Sequence, residues 1–517
     1  MKKLLLIAIL IFHLPLWAQN KVVTIKDATT GESIPFATIK IGTSSHTISN
    51  GEGKFNMYFT PENQLTMIEI SYIGYETQSL TLKKLEEQNF SIQLKPGIYE
   101  LSNVNVSDKK EDVASIMAKV KANLKENYQN PSTPFKNTIF VRAQNSFKPK
   151  QFNLEIEKST GFSKSKLKEI NAEIAGFATR LKKAPPSEFT DFLGVYSSQL
   201  TKKNEKMVNY SKLSVLKATK IKDESKAVSI DDLEVTAGEL FLKHLDTTKF
   251  YRIKSGWFGS RDTISFSKTY NKKRDDYRDS KKVKDNSDEP MPPKNIVSAK
   301  SSIVSIQTST HPMYGTSTNF MRETDWYTYT LDGAVFTEDY KLVYVVKFKP
   351  NKGKAKYEGT LYITENEYAV VKATYRLAEG KTLGGINLKW ILGIKAFENV
   401  SNGTLIFKEN NATNKYYLQY ANIEDGQYFY VNRPLKFIEL AKEDRDVLAL
   451  DLKVEGNMLD KTEYLNLEQK EISEADFKSF KEADFKFIKI NKYDPKIWKE
   501  FTTLEPISEM KQFSIGE

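Results

Sequence analysis

The sequence predicts a mainly β chain: an N-terminal antiparallel β-sandwich followed by an α+β region with a large curved antiparallel sheet. Three observations lead there. Short runs alternate apolar and polar residues with period two, the pattern of strands buried on one side. Aromatic residues make up 12% of the 517 residues, chiefly 26 Tyr and 30 Phe, side chains that fit a pleated surface. Turn dipeptides such as Asn50-Gly51 and Asp332-Gly333 separate the runs. A hydrophobic share of 39% and a charged share of 28% are the balance of a folded chain.

Residues 1–19 read as a secretory signal peptide. Lys2 and Lys3 form a basic start, Leu4 to Leu16 an apolar core broken by Pro15, and Ala18 a small residue suited to cleavage. The apolar run is too short to span a bilayer comfortably, and no later stretch approaches the ~20 apolar residues of a membrane helix. The chain is therefore expected to be exported, to the periplasm or the periphery of an outer membrane, with no transmembrane helix after cleavage.

Residues 20–107 alternate most clearly. Ala37, Ile39 and Ile41 point one way, and Phe55, Met57 and Phe59 repeat the pattern. So do Ile68, Ile70 and Tyr72, then Phe90, Ile92 and Leu94, then Val104 and Val106. Turns fall at Asp27 to Gly31, Ser49 to Gly53 and Pro96-Gly97. Roughly seven short strands in such a length predict a sandwich. Three blocks then occur in order: Thr30-Gly31 with Ile34-Pro35-Phe36-Ala37, Ser49-Asn50-Gly51-Glu52-Gly53-Lys54-Phe55, and Ile70-Ser71-Tyr72-Ile73-Gly74-Tyr75-Glu76. In these blocks the segment resembles the carboxypeptidase-regulatory-like domain. The resemblance implies a transthyretin-like sandwich without chemistry of its own, of a kind common at the N-terminus of Gram-negative envelope proteins.

Residues 108–320 read as a mixed α/β region. Asp108 to Glu111 is a charged connector, and Asp112 is placed to cap a helix from Val113 to Asn127, with Ile116, Val120 and Leu124 on one face. A second helix is predicted near Ser165 to Leu181, stopped by Pro185-Pro186. Strands are expected at Thr138 to Arg142, Leu213 to Lys220 and Lys249 to Ile253. Residues 271–295 are rich in Lys, Arg, Asp and Pro and read as an exposed charged loop.

Residues 321–517 read as a unit built on a curved antiparallel sheet, with a C-terminal helix opened by Ser473 and a tail. About ten strands are expected, with Trp326 to Leu331, Leu342 to Lys349, Tyr357 to Thr364, Ala369 to Leu377 and Trp390 to Phe397 the first five. The stretch from Val343 through Lys349-Pro350, Gly359 to Ile363 and Glu365 to Val370 resembles the half-barrel of periplasmic lipoprotein carriers. It is also similar to a Gram-negative envelope family of unknown function that joins such a region to the same N-terminal sandwich. A curved sheet lined by apolar and aromatic side chains is suited to hold an acyl chain or a hydrophobic peptide, and the inward candidates for such a pocket are Tyr344, Val346, Phe348, Leu361, Ile363, Trp390 and Leu392. The other expectation for these residues is that they pack against the helices.

No catalytic constellation is legible. The chain has no cysteine, which excludes disulfides, thiolate nucleophiles and a lipoprotein anchor. Its four histidines, His13, His46, His244 and His311, fit no zinc motif. There is no G-x-S-x-G elbow, and Gly380-Lys381-Thr382 lacks the leading glycine of a phosphate loop, position 375 being Tyr375. No cofactor and no metal are expected. The net charge of +11 is spread among acids and suits solubility or attraction to an anionic membrane surface rather than nucleic acid. The expected function is a non-catalytic envelope binding or interaction module, with an outer-membrane protein or a hydrophobic ligand as partner. The alternatives are a lipid carrier and an enzyme of unrecognised type.

Overall fold

The computed structural model describes residues 19–43, 45–97, 112–130, 132–160, 162–203, 206–222, 249–255, 258–259, 264–265, 294–337, 341–440 and 445–513. The signal segment up to residue 18, the strand expected at Val104 and Val106, the connector at 108–111 and the charged loop up to residue 293 lie outside the described residues.

The N-terminal unit comprises β1 (Gln19–Asp27), β2 (Thr38–Ile41), β3 (Ser45–Ile48), β4 (Lys54–Phe59), β5 (Met67–Ser71), β6 (Gln78–Thr81), a short helix α1 (Leu82–Glu87) and β7 (Ser91–Leu94). Two sheets, β4-β1-β7 and β3-β2-β5-β6, close on one core. The alternating residues supply it: Ile39, Phe55, Ile68, Ile70 and Ile92 are all buried. One pairing, β1 with β7, is parallel within this otherwise antiparallel sandwich.

After it come α2 (Val113–Tyr128), β8 (Phe135–Ser159), α3 (Lys164–Lys183), β9 (Ser187–Lys203), β10 (Lys206–Lys222), β11 (Phe250–Ser255), β12 (Phe258–Gly259), β13 (Ile264–Ser265) and α4 (Lys294–Ser309). Asp112 caps α2 as its sequence suggests, its Oδ1 accepting from the Ser115 N–H at 2.7 Å. The chain continues through β14 (Tyr327–Phe336), β15 (Leu342–Pro350), β16 (Tyr357–Thr364), β17 (Val370–Leu377), β18 (Gly385–Leu388), α5 (Lys389–Leu392), β19 (Ile394–Asn410), β20 (Lys415–Glu439) and β21 (Arg445–Glu471). It ends in α6 (Glu474–Ser479), β22 (Ile488–Ile490) and α7 (Ser508–Lys511).

Among the described residues, fifteen strands join one sheet, in the main order β14-β15-β16-β17-β19-β20-β21-β8-β9-β10-β22. The division drawn at residue 320 therefore separates strands that the sheet unites, since β8 pairs with β21 along most of its length. Where sequence showed separate short runs, the structure has continuous strands of 25 residues in β20 and 27 in β21. Bulges explain the difference: each inserted residue flips the alternation, as between Phe437 and Ile438 or between Asn466 and Glu468.

Strand parity sorts the residues of this sheet onto two faces. Val141, Tyr464, Ala421, Leu405, Ala373, Leu361 and Val346 are cross-strand partners in one continuous row. They belong to the main core with Ile116 and Val120 of α2 and Ile303 of α4. The adjacent row, Phe140, Leu465, Tyr420, Ile406, Lys372 and Tyr362, faces the other way. There Ile48 and Phe36 of the sandwich and Trp498 and Leu504 of the C-terminal tail pack on it. Further along the sheet, α3 covers Ile156, Phe437 and Leu450 through Ile170 and Ile174.

Tyr375 lies across from Gly359 on one side and Gly403 on the other. A Cβ on Gly403 would stand 2.3 Å from the Tyr375 ring, so the bare backbone is what lets the ring lie flat on the strand. Gly403→Ala is expected to lower stability by about 1–3 kcal/mol through this overpacking, read as a reduced urea midpoint at unchanged m-value.

Candidate functional site

The seven residues predicted to line a pocket do not form one. Tyr344, Val346, Phe348, Leu361 and Ile363 share the helix-facing side and lie in the main core, none more than 5% exposed. Phe320 stacks on Phe348 at 4.4 Å between ring centroids. Trp390 and Leu392 are elsewhere. The predicted strand Trp390 to Phe397 begins only at Ile394, after the helical turn of α5 ended by Gly393 at φ +63°. A Cβ there would meet the Asn432 carbonyl at 2.1 Å, so glycine both reverses the chain and allows the close approach. The turn thrusts Trp390 outward, where it is 95% exposed; Ile391 is 78% and Ile386 54% exposed, and Leu388 stands beside them.

The opposite face carries a buried ionic cluster that the sequence did not reveal. Arg142 of β8 donates to both carboxylate oxygens of Asp191 on β9, Nε to Oδ1 at 3.0 Å and Nη2 to Oδ2 at 2.8 Å. Glu463 of β21 lies 3.9 Å from the guanidinium and accepts from the Tyr420 hydroxyl at 3.1 Å. The remaining donors of Arg142 reach the carbonyls of Leu504 and Glu505 in the tail, each at 3.2 Å. The Glu505 carbonyl also accepts from Asn50 Nδ2 of the sandwich at 3.2 Å. Glu52, two residues on, takes both the N–H and the hydroxyl of Ser508 at 2.7 Å each, holding the start of α7. Burial raises the pKa of Glu505, an effect that Lys511 and Arg142 oppose. The turn Asn50 to Lys54, legible as a turn, is thus also the clamp that grips the tail.

Beside this cluster, sandwich and sheet enclose a cavity of about 210 Å³. Phe36, Tyr72 and Ile73 wall it from the sandwich; Ile406, Lys372 and Gln419 wall it from the sheet. Lys372 is 3% exposed and sits in a row of otherwise uncharged side chains. Its Nζ lies 3.9 Å from the centroid of the Tyr72 ring and 5.4 Å from that of Tyr362. No carboxylate or other acceptor reaches it among the described residues. Burial lowers its pKa from 10.5 to about 8, opposed by Tyr362. Gln419 is the extra residue of a bulge in β20 against β19, and its buried Nε2 has no acceptor among the described residues. Lys341, Lys408 and Glu409 complete the charged lining, with Lys341 paired to Glu409 at 2.6 Å.

The described histidines stand apart. Burial lowers the pKa of His46 and, more strongly, that of His311, to about 4. Among the described residues no group of three or more His, Asp or Glu side chains is arranged to hold a metal ion. No helix of the described residues is long and apolar enough to cross a membrane.

Comparison with known proteins bears on the first unit. Residues 24–106 match the model of the CarboxypepD_reg-like domain, a non-catalytic regulatory fold. No curated protein matches the chain. Among solved structures, the complex of Pseudomonas aeruginosa MucA/MucB is similar at 8% identity, covering 70% of this chain and 100% of that one, with a TM-score of 0.17. A likeness at that level carries no argument.

Two substitutions separate the cluster from the cavity. Arg142→Met leaves Asp191 and Glu463 buried without a cation and is expected to cost about 3–5 kcal/mol, measured by urea unfolding. Lys372→Met removes a charge rather than stranding one. In dilute neutral buffer it is expected to raise stability by about 1–2 kcal/mol, the burial penalty less the lost contact with Tyr72. Because the folded-state pKa of Lys372 lies below the unfolded one, the penalty is complete below about pH 8. It fades as pH rises toward 10.5, so the gap between Lys372→Met and the parent should narrow over that window.

Proposed function

We propose that this chain is a non-catalytic protein of the bacterial envelope that acts as a peripheral interaction module, docking on an anionic lipid surface through the β18–α5 turn. The observation that carries this reading is the exposure of Trp390, Ile391, Ile386 and Leu388 side by side on one projecting turn. An indole beside aliphatic side chains is suited to the boundary between headgroups and acyl chains. The surrounding charge is complementary to anionic headgroups. Lys389 and Lys395 flank the turn, their ammonium groups 4.6 Å from the Tyr430 ring and 4.7 Å from the Phe397 ring, and Lys381 lies nearby in the chain. The export signal read from residues 1–19 and the regulatory-type domain at 24–106 both favour an envelope protein without chemistry of its own. A lipid-carrier reading would need an open apolar groove, and Tyr344, Val346, Phe348, Leu361 and Ile363 of the sheet are packed core.

The test is flotation of the signal-free chain with vesicles of phosphatidylethanolamine and phosphatidylglycerol, against vesicles of phosphatidylcholine alone. Binding is expected to the anionic vesicles, to weaken with salt, and to fall about tenfold in Trp390→Ser/Ile391→Ser, which removes the apolar contact and leaves the lysines. Equal binding by parent and double variant would exclude the turn as the anchor. Absence of vesicle binding, with the double variant instead losing a co-purifying envelope protein, would replace the lipid by a protein partner.

A further inference from the structure

The interdomain cavity is built in a way that packing does not require. A sandwich seated on a sheet could fill this space with apolar side chains, as it does nearby with Phe36 against Tyr420 at 5.3 Å between ring centroids. Instead the sheet presents Lys372, 3% exposed, and Gln419, 3% exposed, as hydrogen-bond donors without acceptors among the described residues. Buried donors are almost always satisfied, and a buried ammonium is ordinarily paired. Among the described residues the compensation for this ammonium is the face of two tyrosine rings, which stabilises the cation without occupying its hydrogen-bond positions. The two donors come from β17 and β20, strands on either side of β19, and line the same cavity. The remaining charges at its edge, Lys341, Lys408 and Glu409, sum to one further positive charge. Opposite the donors the sandwich presents Phe36 and Ile73, and Ile406 lies between the donors on the sheet.

We propose that this cavity is a binding site for a small carboxylate bearing an apolar substituent, its oxygens accepting from Lys372 Nζ and Gln419 Nε2 and its substituent lying against Phe36, Ile73 and Ile406. One carboxylate accepts from both donors at once, whereas a neutral ligand would leave the ammonium uncompensated. The size of the space, about 210 Å³, suits an acid of a few carbons. Because the site is formed by sandwich and sheet together, an occupant would tie the two units to each other. The cavity is separate from the docking turn, whose residues do not line it.

The test is calorimetric titration of the signal-free chain, dialysed free of organic acids, with acetate, hexanoate, dodecanoate and inorganic phosphate at pH 7. Hexanoate is expected to bind, about tenfold more weakly in Gln419→Leu, and without detectable heat in Lys372→Met. Lys347→Met, at an exposed lysine paired with Asp332 at 2.8 Å, should leave binding unchanged. Acetate should bind more weakly than hexanoate because it lacks the apolar contact. Dodecanoate binding tighter than hexanoate would mark the occupant as a fatty acid, and no tighter as a short organic acid; both support the site. Phosphate binding as well as hexanoate, or hexanoate binding equally to the parent and Lys372→Met, would overturn the assignment. So would the absence of binding by every acid tested.

Discussion

A single guanidinium holds the architecture together. Arg142 projects from the first third of β8 on the face away from the helices and divides its donors between the carboxylate of Asp191 and two carbonyls of the tail. One of those carbonyls, Glu505 O, is shared with Asn50 of the sandwich. Sheet, tail and sandwich thus meet at one charged group from which water is excluded. In that setting a bidentate ion pair is directional and a missing partner is costly. The apolar contacts of Ile48, Trp498 and Leu504 around it are extensive but do not specify an orientation; the fixed fork of the guanidinium does.

The sheet carries two chemistries because its two faces are covered by different things. Helices α2 and α4 need an apolar surface, and the row from Val141 to Val346 supplies it. The sandwich and the tail bring turns and backbone carbonyls, so the facing row must offer hydrogen-bonding groups as well as apolar ones. Arg142, Glu463 and Lys372 all lie on this second face. Arg142 is satisfied in part by that contact, through the Leu504 and Glu505 carbonyls, and Glu463 by Tyr420 and Arg142 within the sheet. Lys372 is not, and the void beside it lies between the sandwich and the sheet.

This arrangement changes what the N-terminal domain is within the molecule. It is a wall, fixed at the Asn50 to Lys54 turn and at the Tyr72 ring, and it helps enclose a cavity that the sheet alone would leave open. The projecting turn at Trp390 and the pocket at Lys372 lie apart and differ in chemistry: one exposes apolar side chains, the other holds buried donors.

Sequence by itself determined the secondary structure wherever periodicity was unbroken. The sandwich strands follow from alternation at Ile39, Phe55 and Ile68, and α2 and α3, two of the three long helices among the described residues, from their apolar faces and the cap at Asp112; α4 was not read from the sequence. It also assigned Tyr344, Val346, Phe348, Leu361 and Ile363 to one inward face, since side-chain direction in a strand has period two. Whether that face lines a cavity or a core depends on the helices laid against it, and alternation carries no information about those. The long strands were illegible because bulges at positions such as Asn466 reverse the pattern midway. Trp390 to Phe397 read as a strand because an apolar run looks alike in a strand and in a short turn; only the contact of Gly393 with Asn432 distinguishes them. Lys372 was the least legible of all. In Val370-Val371-Lys372-Ala373 a lysine reads as solvent-facing, and it is buried only because a domain almost three hundred residues away in the chain comes to rest on that face.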